Sequence, residues 1–188
     1  SSRIRNGAIT VGGDMVVGSA GTGEVLTGSI LGIGLGLDLT VNGNLIIGDQ
    51  PGSQGSIGSF DHGDRFHIKG DLILGKQAGS SGSLGTSGIV TVGDAGAPAN
   101  LIVGAGGNGL FEVGFEPPST VTVHGNLIAG DQTGSVGRVG FGHGQAQVKG
   151  DFTLGNQAGS SGESYIDGGS LTVGEAGAPA NLIVGAGG

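Results

Sequence analysis

The chain has 188 residues, among them 47 glycines, 15 acidic residues and only seven lysines or arginines, for a formal net charge of −8. So few cations in an acidic chain cannot neutralise a phosphate backbone, which argues against a nucleic-acid partner and equally against an anionic membrane surface. Cysteine is absent, so there is no disulfide framework and no thiolate metal site.

Glycine at 47 of 188 positions is far above the usual ~7% and leaves few classes open. Collagen needs glycine at every third position and abundant proline, and here there are five prolines and no such period. Disorder needs a shortage of apolar residues, whereas 36% are hydrophobic and fall in short β-branched runs. None of these runs approaches the ~18 residues of a membrane span, and Ser1 to Gly13 has no signal-peptide pattern. Short strands punctuated by glycine turns remain.

Read in chain order, one pattern recurs: Gly or Ala, Asp or Asn, three mostly apolar residues, Gly. The units open at Gly13-Asp14-Met15, Gly43-Asn44-Leu45, Gly70-Asp71-Leu72, Ala99-Asn100-Leu101, Gly125-Asn126-Leu127, Gly150-Asp151-Phe152 and Ala180-Asn181-Leu182. They close at Gly18, Gly48, Gly75, Gly104, Gly130, Gly155 and Gly185, and successive openings lie 30, 27, 29, 26, 25 and 30 residues apart. A longer period overlies this one. Residues 43–107 recur at 125–188, and Gly93 to Gly107 returns at 174–188 with only Asp94 replaced, by Glu175. Three short units therefore make one long unit, and residues 1–188 are expected to form a single repeat region cut from a longer array.

Each unit carries about three strands. One follows the Asp/Asn position, as in Asn44 to Ile47. A second is typified by Leu110 to Val113 and Ser164 to Ile166. A third is typified by Val90 to Val92, Val121 to Val123 and Leu171 to Val173. No segment keeps a helical period, and stretches such as Gly79-Ser80-Ser81-Gly82 are expected to be turns. The expected fold is all-β: a right-handed parallel β-helix of about seven coils of three short strands, essentially without helix. Equivalent residues would then stack ~4.8 Å apart from coil to coil. Met15, Leu45, Leu72, Leu101, Leu127, Phe152 and Leu182 should form one interior column. Asp14, Asn44, Asp71, Asn100, Asn126, Asp151 and Asn181 should form a polar ladder at a corner, with Asn between most of the aspartates to limit like-charge repulsion. A cation-binding acidic stripe is the disfavoured alternative.

Other polar positions point less clearly to chemistry. Gln50, Gln77, Gln132 and Gln157 recur two residues past a closing glycine, as a turn feature or an external stripe. His62 and His143 are repeat equivalents, too far apart at three coils to share an ion, and each is expected to sit with Phe60 or Phe141 in a loop packed on the outer face. His67 and His124 have no partner visible in the sequence. Asp61 with Asp64, and Glu112 with Glu116, are the acidic pairs that a polysaccharide-cleaving site would need, and neither is marked as buried. No catalytic residue, cofactor or metal is expected. Thr40, Thr91, Thr122 and Thr172 recur once per unit, too sparsely for an ice- or mineral-binding array.

Segments such as Leu171-Thr172-Val173-Gly174, Leu101-Ile102-Val103-Gly104 and Leu110-Phe111-Glu112-Val113-Gly114 resemble the glycine-rich β-helix repeats of autotransporter (type V secreted) passenger domains and related bacterial surface proteins. The resemblance covers nearly the whole chain. It implies a secreted β-helical stalk or adhesin segment and carries over no catalytic residue. The functional expectation is a non-enzymatic extracellular structural or adhesive protein at a cell surface, probing a surface or glycan ligand, and joining end to end or continuing in a longer chain. A polysaccharide lyase or glycoside hydrolase is the alternative.

Overall fold

A computed structural model describes residues 2–3, 7–27, 36–59, 63–114 and 119–187, and the statements that follow concern these. Phe60, Asp61, His62 and Glu116 lie outside them. The described residues contain 21 strands and no helix, arranged as three parallel sheets of seven strands each. The chain visits the sheets in turn, so it winds as a β-solenoid. Six full turns separate the first strand of sheet A from its last, and one further strand follows in each of the other two sheets.

Sheet A comprises Ser2–Arg3, Thr22–Thr27, Gln54–Ser59, Ser81–Thr86, Asn108–Val113, Val136–Phe141 and Ser161–Ile166. Sheet B comprises Gly7–Val11, Leu37–Val41, Arg65–Ile68, Ile89–Val92, Thr120–Val123, Gln145–Val148 and Ser170–Val173. Sheet C is the narrowest, built from Met15–Val17, Leu45–Ile47, Leu72–Leu74, Leu101–Val103, Leu127–Ala129, Phe152–Leu154 and Leu182–Val184. The uneven spacing of the repeats is absorbed entirely at the corners. Residues 124–126 suffice to turn from sheet B to sheet C where the spacing is 26, whereas residues 93–100 and 174–181 make the same turn where it is 29 or 30.

Strand alternation explains the core. In Ile89–Val92, Val90 and Val92 are buried while Ile89 and Thr91 face out, and the same pattern holds in Thr120–Val123. One coil's interior can thus be filled by residues of different size provided their sum is kept. In the coil of Val136–Leu154, the small Ala146 shares the buried core with the large Phe141 and Phe152. In the preceding coil, Ala129 is buried in the same core as Phe111. Phe141 is therefore a core residue, 1% exposed, and the expectation that it packs with His143 on the outer face is wrong. The alternation in Val136–Phe141 that turns Val139 inward turns Phe141 inward as well.

Glycine has two roles, of which the sequence displayed one. The closing glycines turn the chain from sheet C to sheet A with φ of 62–74°. A Cβ on Gly48 would also lie 2.2 Å from the Ser81 carbonyl oxygen of the next coil. The second role is inside sheet A, where Gly23, Gly55, Gly82, Gly109, Gly137 and Gly162 occupy one in-register inward column. Here the sheet runs against the end of sheet C. A Cβ on Gly82 would lie 2.0 Å from the Ile47 carbonyl oxygen, so only glycine fits. The expected turn at Gly79 to Gly82 is thus corrected. Gly79 is in a turn at φ 79°, but Ser81 and Gly82 are strand.

Candidate functional site

The most regular polar feature runs along the corner between sheets B and C. Each side chain there accepts a hydrogen bond from the backbone N–H of its equivalent one coil on. Asp14 Oδ1 accepts from Asn44 N (2.7 Å), Asn44 from Asp71 (2.8 Å), Asp71 from Asn100 (2.7 Å), Asn100 from Asn126 (2.9 Å), Asn126 from Asp151 (2.9 Å) and Asp151 from Asn181 (2.8 Å). The carbonyl of each residue accepts the next-in-chain amide of the coil before, as in Met15 N to Asn44 O and Leu72 N to Asn100 O. A corner interrupts the sheet ladder, and a short side chain ending in an acceptor oxygen restores the missing bond. That requirement explains why only Asp and Asn occur. Along the column Asp14, Asn44, Asp71, Asn100, Asn126, Asp151, Asn181, no two aspartates are adjacent.

Beside the ladder, Met15, Leu45, Leu72, Leu101, Leu127, Phe152 and Leu182 pair in register along sheet C. Leu45, Leu72, Leu101 and Leu127 are fully buried and Phe152 nearly so, Met15 is half-buried, and Leu182 is 59% exposed. Burial is complete where coils lie on both sides and partial in the first and last described strands.

The recurring glutamines begin tight turns. In Gln77-Ala78-Gly79-Ser80, Ser80 donates through both N (2.9 Å) and Oγ (2.7 Å) to the Gln77 carbonyl, and Gly79 has the positive φ of a type II turn. Gln132 and Gln157 repeat this with Ser135 and Ser160, and Gln50-Pro51-Gly52-Ser53 places proline where that turn accepts it.

Among the described residues, titratable side chains also meet outside the ladder, at two corners and on sheet A. At the B–C corner, residues 94–97 and 175–178 form small protruding hairpins, each closed by a pair of backbone hydrogen bonds. Their acids reach back to earlier coils: Asp94 to His67 Nε2 (2.9 Å) and Glu175 to Lys149 Nζ (3.2 Å). The partner of His67 is thus 27 residues away, on a hairpin whose duplicate at 174–181 was its only sequence trace. His124 lies between the two pairs with a buried Nδ1 that makes no hydrogen bond; burial, with the Lys149 charge adding, holds its pKa below the ordinary value. At the C–A corner, Asp49 is bonded by Lys76 (2.8 Å), and that bond together with one from Gln50 lowers its pKa.

On sheet A, the Tyr165 hydroxyl donates to Glu112 Oε1, two coils away. The ring passes over Gly140, where a Cβ would come within 2.3 Å of it. Burial foremost, then the Glu112 bond and charge, push the Tyr165 pKa up to about 12.

No family model, no curated protein and no solved structure matches the chain. The chemistry must therefore be judged from the side chains alone. Asp64, one of the two acids that a cleavage site would pair, is 1% exposed, and its Oδ1 accepts the Leu37 amide at 2.6 Å across one coil. The sequence did not mark it as buried, yet it sits inside the A–B corner, where Gly88 and Ser119 take the equivalent place in the next coils. Glu112 is engaged by Tyr165, and His143 is exposed with its ring against Gly168. Among the described residues, no group of three or more His, Asp or Glu side chains is placed to hold a metal ion.

Proposed function

We propose that this chain is a non-enzymatic extracellular structural segment, a β-helical stalk of the kind its repeats resemble in autotransporter passenger domains. The observation that carries this reading is the unbroken side-chain ladder from Asp14 to Asn181. It commits one acceptor oxygen of each of the chain's most regular polar residues, from Asp14 to Asp151, to holding coil on coil. A stalk needs coils stacked along one axis, and here each coil is hydrogen-bonded to the coils on either side of it through all three sheets. The same chemistry supports end-to-end joining. Any further coil laid on Leu182–Val184, from the same chain or another, would find the same ladder and the same apolar column. Compatibility with the outside of a cell rests on the acidic, cysteine-free composition, with coil stacking in place of disulfides. The test is immunogold electron microscopy of intact producing cells, combined with protease shaving. Label displaced outward from the envelope and lost on shaving supports the proposal. Label confined to the cytoplasm, or depolymerisation of a neutral or acidic polysaccharide by the purified chain, contradicts it.

A further inference from the structure

The outer face of sheet B changes character along the rod. Between Leu37 and Asp94 it carries acidic and basic side chains: Asp38, Arg65 and the His67–Asp94 pair line one shallow trough. On Thr120–Val123, Gln145–Val148 and Ser170–Val173, every outward side chain of sheet B is uncharged and hydrogen-bonding. Thr120, Gln145 and Ser170 stand in register in one column, and Thr122, Gln147 and Thr172 in the next. They enclose a trough of about 290 Å³ whose floor is the backbone of the sheet. None of the six side chains makes a hydrogen bond within the described residues, in contrast to Ser56 and Ser83 on sheet A, which bond each other at 3.1 Å.

We propose that this grid is a binding site for an uncharged, linear saccharide lying along the solenoid axis. The chemistry selects the ligand class. None of the six side chains carries a charge, and the nearest charges, Lys149 and Glu175 at the adjoining corner, are paired with each other at 3.2 Å, which disfavours a phosphate or sulfate polymer and a polyamine alike. It offers no aromatic, arginine or large aliphatic anchor of the kind that concentrates protein–protein affinity. What it offers is a two-by-three array of hydroxyls and amides, and each glutamine amide presents a donor pair and an acceptor that can span neighbouring hydroxyls. A hydrogen bond made in water replaces one to water, so a single pair gains little. A ligand must present hydroxyls repeatedly at about the ~4.8 Å coil spacing, as a chain of sugar rings does. This inference is independent of the stalk reading, since a rod with or without the site is still a rod.

The test uses the full chain and defined neutral hexasaccharides, a β-linked glucan, an α-linked glucan and a chitin oligomer, with polygalacturonate as an anionic comparator. Binding is followed by NMR amide shifts and by affinity electrophoresis. At least one neutral oligosaccharide is expected to shift the amides of Thr120–Thr122, Gln145–Gln147 and Ser170–Thr172, with little dependence on salt. The double variant Gln145→Ala, Gln147→Ala should weaken that binding roughly tenfold or more while leaving the melting temperature unchanged. No shift with any neutral oligosaccharide, equal binding by the folded double variant, or binding confined to the polyanion would each overturn the proposal.

Discussion

Replacing Gly82 by alanine adds one methyl group to an 18 kDa protein, yet it should be among the most damaging substitutions in the chain. The Cβ would lie 2.0 Å from the Ile47 carbonyl oxygen and 2.6 Å from the Gly75 nitrogen. Ordinary contact begins near 3.4 Å, so the two strands must part by more than an ångström at the point where Gly75 N donates to Ile47 O at 2.9 Å. Overpacking of this kind costs about 1–3 kcal/mol, and losing the hydrogen bond adds about 1 kcal/mol. A loss of about 2–4 kcal/mol is therefore expected. Gly85 supplies the control. It lies three residues on in the same strand, faces outward, has no positive φ and would meet nothing within 4 Å with a Cβ. Gly85→Ala should be neutral, or stabilising by up to about 1 kcal/mol through the unfolded chain. Urea titrations followed by far-ultraviolet circular dichroism would compare the midpoints, with hydrogen exchange reporting whether loss is local to neighbouring coils. Equal effects at Gly82 and Gly85 would refute the claim that an inward glycine column sets the distance between sheets A and C.

Asn44→Asp would place three carboxylates in a row with Asp14 and Asp71 while keeping an acceptor oxygen for the Asp71 amide. It should lower the urea midpoint at neutral pH by the equivalent of roughly 0.5–1 kcal/mol, with partial recovery in 1 M salt, and an unchanged midpoint would show that the alternation is idle. The chain's single tyrosine gives a clean alkaline titration. Its ultraviolet ionisation should centre near 12 in the folded protein, against ~10 unfolded, and fall in Glu112→Gln. Because the unfolded state gives up this proton first, stability should decline between those two values as pH rises. His124 has the opposite sign of linkage. Its neutral form is favoured on folding, so its contribution is complete above the ordinary histidine range and is lost as pH falls through its lowered folded value. A melting temperature with the same acid dependence in His124→Gln would remove that assignment.

Much of the architecture was readable because a solenoid writes its geometry in one dimension. The residues that stack are the residues that recur, so the column from Met15 to Leu182 and the ladder from Asp14 to Asn181 could be aligned before any fold was known. What could not be read depends on the third dimension. Gly82 and Gly79 look alike in a glycine-rich string, and only the approach of Ile47 from another sheet tells an inward strand glycine from a turn. Phe141 seemed tied to His143 by adjacency, but strand alternation sends it inward. Nothing in the sequence marked Asp64 as buried, because its partner, the Leu37 amide, belongs to the coil before. The pairing of His67 with Asp94 depends on a hairpin that reaches back across one coil, and its trace was the repetition of Gly93 to Asn100 at 174–181.

The ladder itself is open to direct test by amide hydrogen exchange, resolved by residue, on the intact chain. If the coils are stacked as one continuous, in-register solenoid, the backbone amides of Asp71, Asn100, Asn126 and Asp151 will exchange as slowly as those of Leu72, Leu101 and Leu127, despite their position at a solvent-facing corner. Exchange of those four amides at the rate of an open loop, with the leucine amides still protected, would contradict the account.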